Sequence, residues 1–305
     1  MLKKWFSGLN KTWALVVCSA GYLIAFLAAL AVVMALHGHN LILTFCLADL
    51  AATIVIFVFS VLSDNSSFYD PYWSVAPVPI VLFLAFQAET LNPREWAIIT
   101  LLLIWAARLT WNWGRRWRGF KDEDWRYAGF RKTAKSWYWP LSFAGFHFFP
   151  TVIVFAGCLP IFSVFLNKGY ATNGLDIAAL VVTLCAILIE ATADKQLWEF
   201  KKKNKKKKQI LSTGLWAWAR HPNYFGEVLF WWGIWLFSIA NGPIQLYLLA
   251  GPACVTLLFI FISVPMADQR MLIGRPAYTI RMKRVPSLLP HPFGRKTAAK
   301  ARSAA

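Results

Sequence analysis

The chain has 305 residues, 58% of them hydrophobic and only 15% charged, against roughly 25% charged in a soluble domain, which excludes an ordinary soluble enzyme and leaves a polytopic membrane protein. The formal net charge of +18 does not mark a nucleic-acid binder, because 25 of the 32 Lys and Arg fall in residues 114–135, 195–208 and 270–305, each beside an apolar segment. That placement reads as positive-inside topology and attraction to anionic lipid headgroups.

The N-terminus, Met1-Leu2-Lys3-Lys4, precedes an apolar run too long for a signal-peptide core and lacks a small-residue cleavage site, so the first span is expected to be retained. Stretches of about 20 apolar residues fit the bilayer core. The first two predicted spans run from about Trp13 to Leu36 and from Leu41 to Leu62, and end in His37-Gly38-His39-Asn40 and Ser63-Asp64-Asn65. A third, from about Asp70 to Ala88, contains Pro77 and Pro79 and is expected to kink. The fourth covers about Trp96 to Trp113, with Arg108 and Asn112 near its basic end. The fifth, about Trp139 to Leu166, carries Pro140, Pro150 and Pro160 and is expected to be broken or tilted. The sixth covers about Leu175 to Trp198; the seventh and eighth, Pro222 to Ala240 and Pro243 to Met266, are joined by Asn241-Gly242.

Eight spans put both termini and all three basic blocks on one face, leaving only Arg94 and Lys168 on the other. The expectation is therefore an all-α bundle of about eight transmembrane helices with both termini cytosolic. Residues 119–135 mix charge with aromatics and read either as an interfacial helix or as a lid over a cytosol-facing site. Lys201 to Lys208 reads as a solvated loop on anionic lipid, and residues 291–305 as a basic disordered tail.

All five Cys (Cys18, Cys46, Cys158, Cys185, Cys254) lie in apolar stretches without a CxxC pair, and His147 and His291 share no ligand spacing, so no metal site is expected. The chemistry concentrates elsewhere. Glu190, Asp194 and Trp198 sit at i, i+4 and i+8, on one helical face near the membrane boundary. Either Arg220 or Arg270 neutralises the two carboxylates, or they accept hydrogen bonds from ribose hydroxyls or an amide of a polar ligand. In Arg220-His221-Pro222-Asn223-Tyr224-Phe225-Gly226-Glu227, Pro222 suits a first helical turn, which puts Asn223 and Glu227 on one face. Free N–H groups at that helix start favour an anion, and Arg220 adds a bidentate clamp. His221 reads as a loop cap. Asp70, in Tyr69-Asp70-Pro71-Tyr72-Trp73, either lines a cavity with Arg108 or simply caps a helix. After the eighth span, Arg270, Arg275-Pro276-Ala277-Tyr278 and Arg281 to Arg284 suit a diphosphate or 2′-phosphate.

The string Gly214-Leu215-Trp216-x-x-x-Arg220-His221-Pro222-Asn223-Tyr224-Phe225-Gly226-Glu227, with Glu190-x-x-x-Asp194 upstream and Arg275-Pro276-x-Tyr278 downstream, resembles the steroid 5α-reductase family, in particular its bacterial branch. The resemblance covers about residues 60–290. Two helices in 1–62 fall outside it, and 63–290 is expected to form the catalytic domain. It implies a multi-pass protein of a bacterial inner membrane that binds NADPH at its cytosolic end and takes a lipid-soluble enone. Glu190, Asp194 and Lys201 match the cofactor-holding helix. Asn223 and Glu227 match residues near the nicotinamide, within a cofactor set that also takes in Arg220, His221, Tyr224, Arg270, Arg275 and Tyr278. Asp70 with Pro77 matches the substrate-side carboxylate, and Arg108 a family arginine. The implied reaction is hydride transfer to the β-carbon and protonation at the α-carbon.

Two positions depart from the pattern. Trp105 stands where the family has the Tyr that donates to the substrate carbonyl, and Glu190 replaces an Asn. Tyr72, Tyr69 or a protonated Asp70 is left to supply the donor, so Asp70, Tyr72 and Arg108 are the candidate catalytic residues. The Arg-His-Pro-x-Tyr and Arg-Val-Pro elements also fit membrane methyltransferases that use S-adenosylmethionine. A non-enzymatic lipid-binding protein is the third reading.

Overall fold

The computed structural model describes residues 2–167, 169–204 and 209–290. Lys168, Lys205 to Lys208, His291 and the rest of the expected tail, 291–305, lie outside the described residues. The chain divides into two compact units, Met1–Leu166 and Asn167–Ala305. Described residues form helices and turns, with no strand.

The first unit contains α1 (Leu2–Gly8), α2 (Lys11–Ala35), α3 (Leu41–Ser63), α4 (Tyr72–Val75), α5 (Pro77–Gln87), α6 (Pro93–Arg116), α7 (Trp125–Ala134), α8 (Tyr138–Ser142) and α9 (Phe149–Leu166). The second contains α10 (Gly174–Lys203), α11 (Pro222–Asn241), α12 (Ala250–Leu258), α13 (Val264–Leu272) and α14 (Tyr278–Arg284). Among the described residues, six helical stretches are long and apolar enough to cross a membrane: Lys11–Ala35, Leu41–Ser63, Pro93–Arg116, Trp125–Leu166, Gly174–Lys203 and Leu246–Leu272. The protein is thus an all-helical, multi-pass type. Two predicted segments are not among these six. The 70–88 segment splits into α4 and the 11-residue α5, which at 1.5 Å per residue reaches only about 16 Å. The 222–240 segment is a single 20-residue helix with a polar first turn and a half.

Local sequence accounts for the helix ends. Asn10 and Asn40 cap α2 and α3, and Asn92/Glu95 and Asn173/Asp176 form complete capping boxes at α6 and α10. Proline explains the irregular turns. Residues Phe143–Phe148 and Phe259–Ser263 are π-helical, and each segment ends two residues before a proline, Pro150 and Pro265. A proline has no N–H for the carbonyl one turn back, so the ladder there widens while the chain stays helical. The segment expected to be broken or tilted, 139–166, is therefore one continuous helical run from Tyr138 to Leu166 with a local widening at Phe143–Phe148.

In the first unit the loop from Asn65 to Tyr69 is buried despite its polarity: Asn65, Ser66 and Phe68 are fully covered. Its polar groups are satisfied internally, as an irregular segment in an apolar setting requires. Asn65 Nδ2 donates to Phe120 O (2.8 Å), Ser66 N to Glu123 Oε1 (3.0 Å), and Asp124 N to Ser67 Oγ (2.7 Å). Asp64 ends α3 in the left-handed region (φ 51°), which aspartate tolerates better than most residues. Its carboxylate receives Arg131 at 2.7 Å and also meets Lys3. Arg131 further pairs with Glu123 (2.9 Å) and lies over the Tyr138 ring (3.9 Å). The charged, aromatic 119–135 segment is thereby fastened to the core of its unit.

In the second unit α10 and α11 run antiparallel, since contacts move back along α10 as they move forward along α11. Asn223 meets Asp194, Gly226 meets Glu190, and Gly233 meets Thr183. Small residues let the two backbones approach: Ala179, Ala186 and Ala193 recur every seven residues and are fully buried. A Cβ on Gly226 would lie 2.7 Å from Glu190 Cβ and 2.9 Å from Ala186 O.

Candidate functional site

The close α10/α11 crossing stacks polar residues in successive layers. Glu190 and Asp194 on α10, and Glu227 on α11, are all buried. The carboxylates expected on one face of the sixth predicted span thus sit against the start of the seventh. Asn223 Nδ2 points to Asp194 Oδ1 at a long 3.4 Å, while Asn223 Oδ1 is buried without a hydrogen-bond partner. Glu227 Oε1 accepts from Trp231 Nε1, one turn on, at 3.0 Å. The 214–217 turn closes this end of the helix pair: Leu215 N donates to Gln196 Oε1 and Trp216 Nε1 to Ala193 O, both at 3.0 Å. Among the described residues no three His, Cys, Asp or Glu converge as a metal site.

Arg220 does not join Glu190 or Asp194. Its Nε and Nη2 donate to Asp268 Oδ1 and Oδ2 (3.3 and 2.8 Å), and its Nη1 to the carbonyls of Met282 and Val285 (3.1 and 2.7 Å). Four of its donor contacts are engaged within the protein, and none of them goes to the α10 carboxylates. His221 occupies the N-cap position of α11 without a side-chain cap bond. Its ring instead meets Asp268 Oδ1 through Nε2 (2.8 Å) and stacks on Tyr224 (5.2 Å, 10°). Tyr278 also donates to Asp268 Oδ1, at 2.6 Å. Burial, and then the bond to that carboxylate, hold its phenol above the usual tyrosine range. Lys201 and Arg270 are exposed at the ends of α10 and α13, and Arg275 is half-buried after α13.

The residues proposed for substrate, Asp70, Tyr72 and Arg108, belong to the first unit. Asp70 does not cap the helix that follows it. Its Oδ1 accepts from Tyr127 OH (2.6 Å), with Arg126 Nη2 at 3.7 Å. Tyr72 OH donates to Asp49 Oδ1 at 2.5 Å, and Asp49 Oδ2 is buried without a partner. Asp49 is a single acid in the apolar second predicted span and belongs to no motif; its signal in the sequence is that a lone intramembrane acid seldom lacks a role. Tyr69 OH meets Thr151 Oγ1 (2.8 Å), which meets Thr53 Oγ1 (2.9 Å). Trp105 is fully buried, and Arg108 lies half-buried one turn further along α6.

A family described as protein of unknown function (DUF1295) matches residues 56–284, which include α10, α11, Asp268 and Tyr278. The chain belongs to the DUF1295 family. A relative, uncharacterized protein C594.04c of Schizosaccharomyces pombe, is 28% identical over 224 residues, 65% of this chain and 63% of the relative. The chain thus aligns with less than two thirds of that protein's length. No solved structure matches the chain. The DUF1295 match takes in the α10/α11 polar layers and the Arg220–Asp268 contacts, whereas Asp49 precedes it.

Proposed function

We propose that this DUF1295 protein is a membrane-embedded, NADPH-dependent reductase of a C=C bond conjugated to a carbonyl in a steroid-like or other lipid-soluble molecule. In this reading it crosses a bacterial inner membrane about eight times, with α11 and the α4–α5 segment among the passes and both termini cytosolic. The observation that carries the reading is the Asn223 carboxamide. Its buried, unpartnered oxygen is an acceptor suited to an amide N–H₂, and its own N–H₂ is held toward Asp194. A nicotinamide carboxamide offers that donor. Other residues of the same unit suit the rest of such a molecule: carboxylates at Glu190 and Asp194 suit hydroxyl or amide donors, and Lys201, Arg270 and Arg275 suit phosphates.

NADPH, when bound, supplies a hydride to the β-carbon. The chain's own groups do the remaining work. Asn223 orients the carboxamide, and the Tyr224 ring, stacked on His221 and 4.9 Å from Phe259, limits sideways movement. Within the first unit, Tyr72 is the proposed donor to a substrate carbonyl oxygen. Its one O–H proton goes to Asp49 Oδ1, 2.5 Å away, so that donation requires Asp49 to be protonated and to donate in turn to the phenol oxygen, in a setting that disfavours a free charge. Arg108 and Asp70 are the remaining candidates on the substrate side.

The test is transfer of deuterium from NADPH labelled at the nicotinamide C4 to a panel of lipid-soluble enones in proteoliposomes. Label at the β-carbon supports the reading. Absence of transfer to every enone, from protein shown to bind NADPH, removes the reductase assignment.

A further inference from the structure

Donors from two separate motifs end on one carboxylate. Asp268, buried on α13, accepts from Arg220 Nε and Nη2, His221 Nε2 and Tyr278 OH. The same two stretches are joined a second time through the backbone. Arg220 N donates to Pro286 O (2.9 Å) and His221 N to Ser287 O (3.0 Å). Arg220 Nη1 reaches Met282 O and Val285 O, carbonyls at the end of α14 where the helix supplies no donors of its own. The arginine side chain thus caps one helix while the backbone just before α11 is satisfied by the chain that leaves α14. Arg281, on the same short helix, also donates to Trp216 O.

We propose that Asp268 is a positioning residue: it latches the Tyr278–Ser287 segment onto the Arg220–Pro222 turn and so fixes the point at which α11 begins, and with it the Asn223 carboxamide. Its geometry suits that task. A carboxylate offers about four lone-pair sites, and Asp268 uses them on donors from α14 and from the turn before α11, so neither stretch can shift without breaking charge-assisted bonds. The Arg-His-Pro and Arg-Pro-x-Tyr elements are then parts of the latch. They fit reductases and methyltransferases equally because they hold the fold near the ligand and do not select it. The functional consequence rests on the cofactor reading of Asn223; the latch itself does not.

Limited trypsin digestion of full-length protein in detergent tests the latch. Arg281, Lys283 and Arg284 lie in the latched segment, and proteolysis follows the population of the open form. In Asp268→Asn, cleavage at these three sites is expected to speed by about ten-fold while cleavage at the exposed lysines that end α10 stays unchanged. Tyr278→Phe removes one bond and shifts cleavage in the same direction by less; it stands in if Asp268→Asn does not fold. Unchanged cleavage in the folded variant overturns the latch.

Calorimetry with NADPH tests the positioning. Asp268→Asn is expected to weaken binding about ten-fold alone but less than about two-fold in an Asn223→Ala background, because residues acting through one another are not additive. Full additivity overturns the positioning role. If wild-type protein binds no NADPH, the proposed function fails, and the cleavage rates still decide the latch.

Discussion

Asn223 and Asp194 face each other across the α10/α11 pair, with the Asn223 amide 3.4 Å from the carboxylate and its carbonyl oxygen buried without a partner. Leaving a buried acceptor unsatisfied costs about 1–3 kcal/mol, and a ligand amide would recover it. Asn223→Ala removes both the cost and the recognition. Protein stability is expected to hold or rise slightly, while the NADPH dissociation constant rises about ten-fold, or ~1.4 kcal/mol. Thermal denaturation with and without NADPH checks both halves.

Gly226 is required by its neighbours. A methyl group there would lie 2.7 Å from Glu190 Cβ and 2.9 Å from the Ala186 carbonyl, and the latter is backbone that cannot rotate away. Gly226→Ala is expected to destabilise by about 1–3 kcal/mol through overpacking and to spread the polar layers. Gly145→Ala, at a glycine with open space around it, is the control and should be close to neutral in the same melting assay.

Tyr72 OH lies 2.5 Å from Asp49 Oδ1, in the interior of α3. Asp49→Asn keeps the shape and changes the chemistry, so turnover of an enone substrate is expected to fall by about 10²-fold, in the range for lost acid–base or charge stabilisation. NADPH affinity should stay within about two-fold, a change of ~0.4 kcal/mol. Equal loss of turnover and cofactor affinity would assign Asp49 to folding.

Tyr278 provides a pH signature. Burial and its bond to Asp268 raise the phenol above its ordinary value, so the folded protein holds this proton more tightly than the unfolded chain does. The resulting stability is complete below about pH 10, the ordinary tyrosine value, and is lost as pH rises above it. The melting temperature of wild type should therefore fall more steeply above about pH 10 than that of Tyr278→Phe. Parallel curves would show that the phenol is not held in this way.

Much of the fold was legible because apolar length acts locally. The runs behind α2, α3 and α10 are examples. The buried loop at Asn65 to Tyr69 was not legible. Its polarity suggests a surface, and only the partners brought in by Phe120, Glu123 and Asp124 make burial tolerable. The site divided in the same way. Helical spacing put Glu190 with Asp194, and Asn223 with Glu227, because that geometry lies within one helix. The partner of Arg220 stayed open, since pairing with Asp268 depends on how α13 returns to the turn before α11. Asp49 left a trace in its single charge, but the phenol it meets lies on another helix.

The central claim is tested most directly by equilibrium binding of NADPH and of S-adenosylmethionine to the purified protein. The reductase account predicts saturable NADPH binding, weakened by Asn223→Ala, and no saturable binding of S-adenosylmethionine. Saturable binding of S-adenosylmethionine with none of NADPH would contradict it and assign the α10/α11 site to methyl transfer.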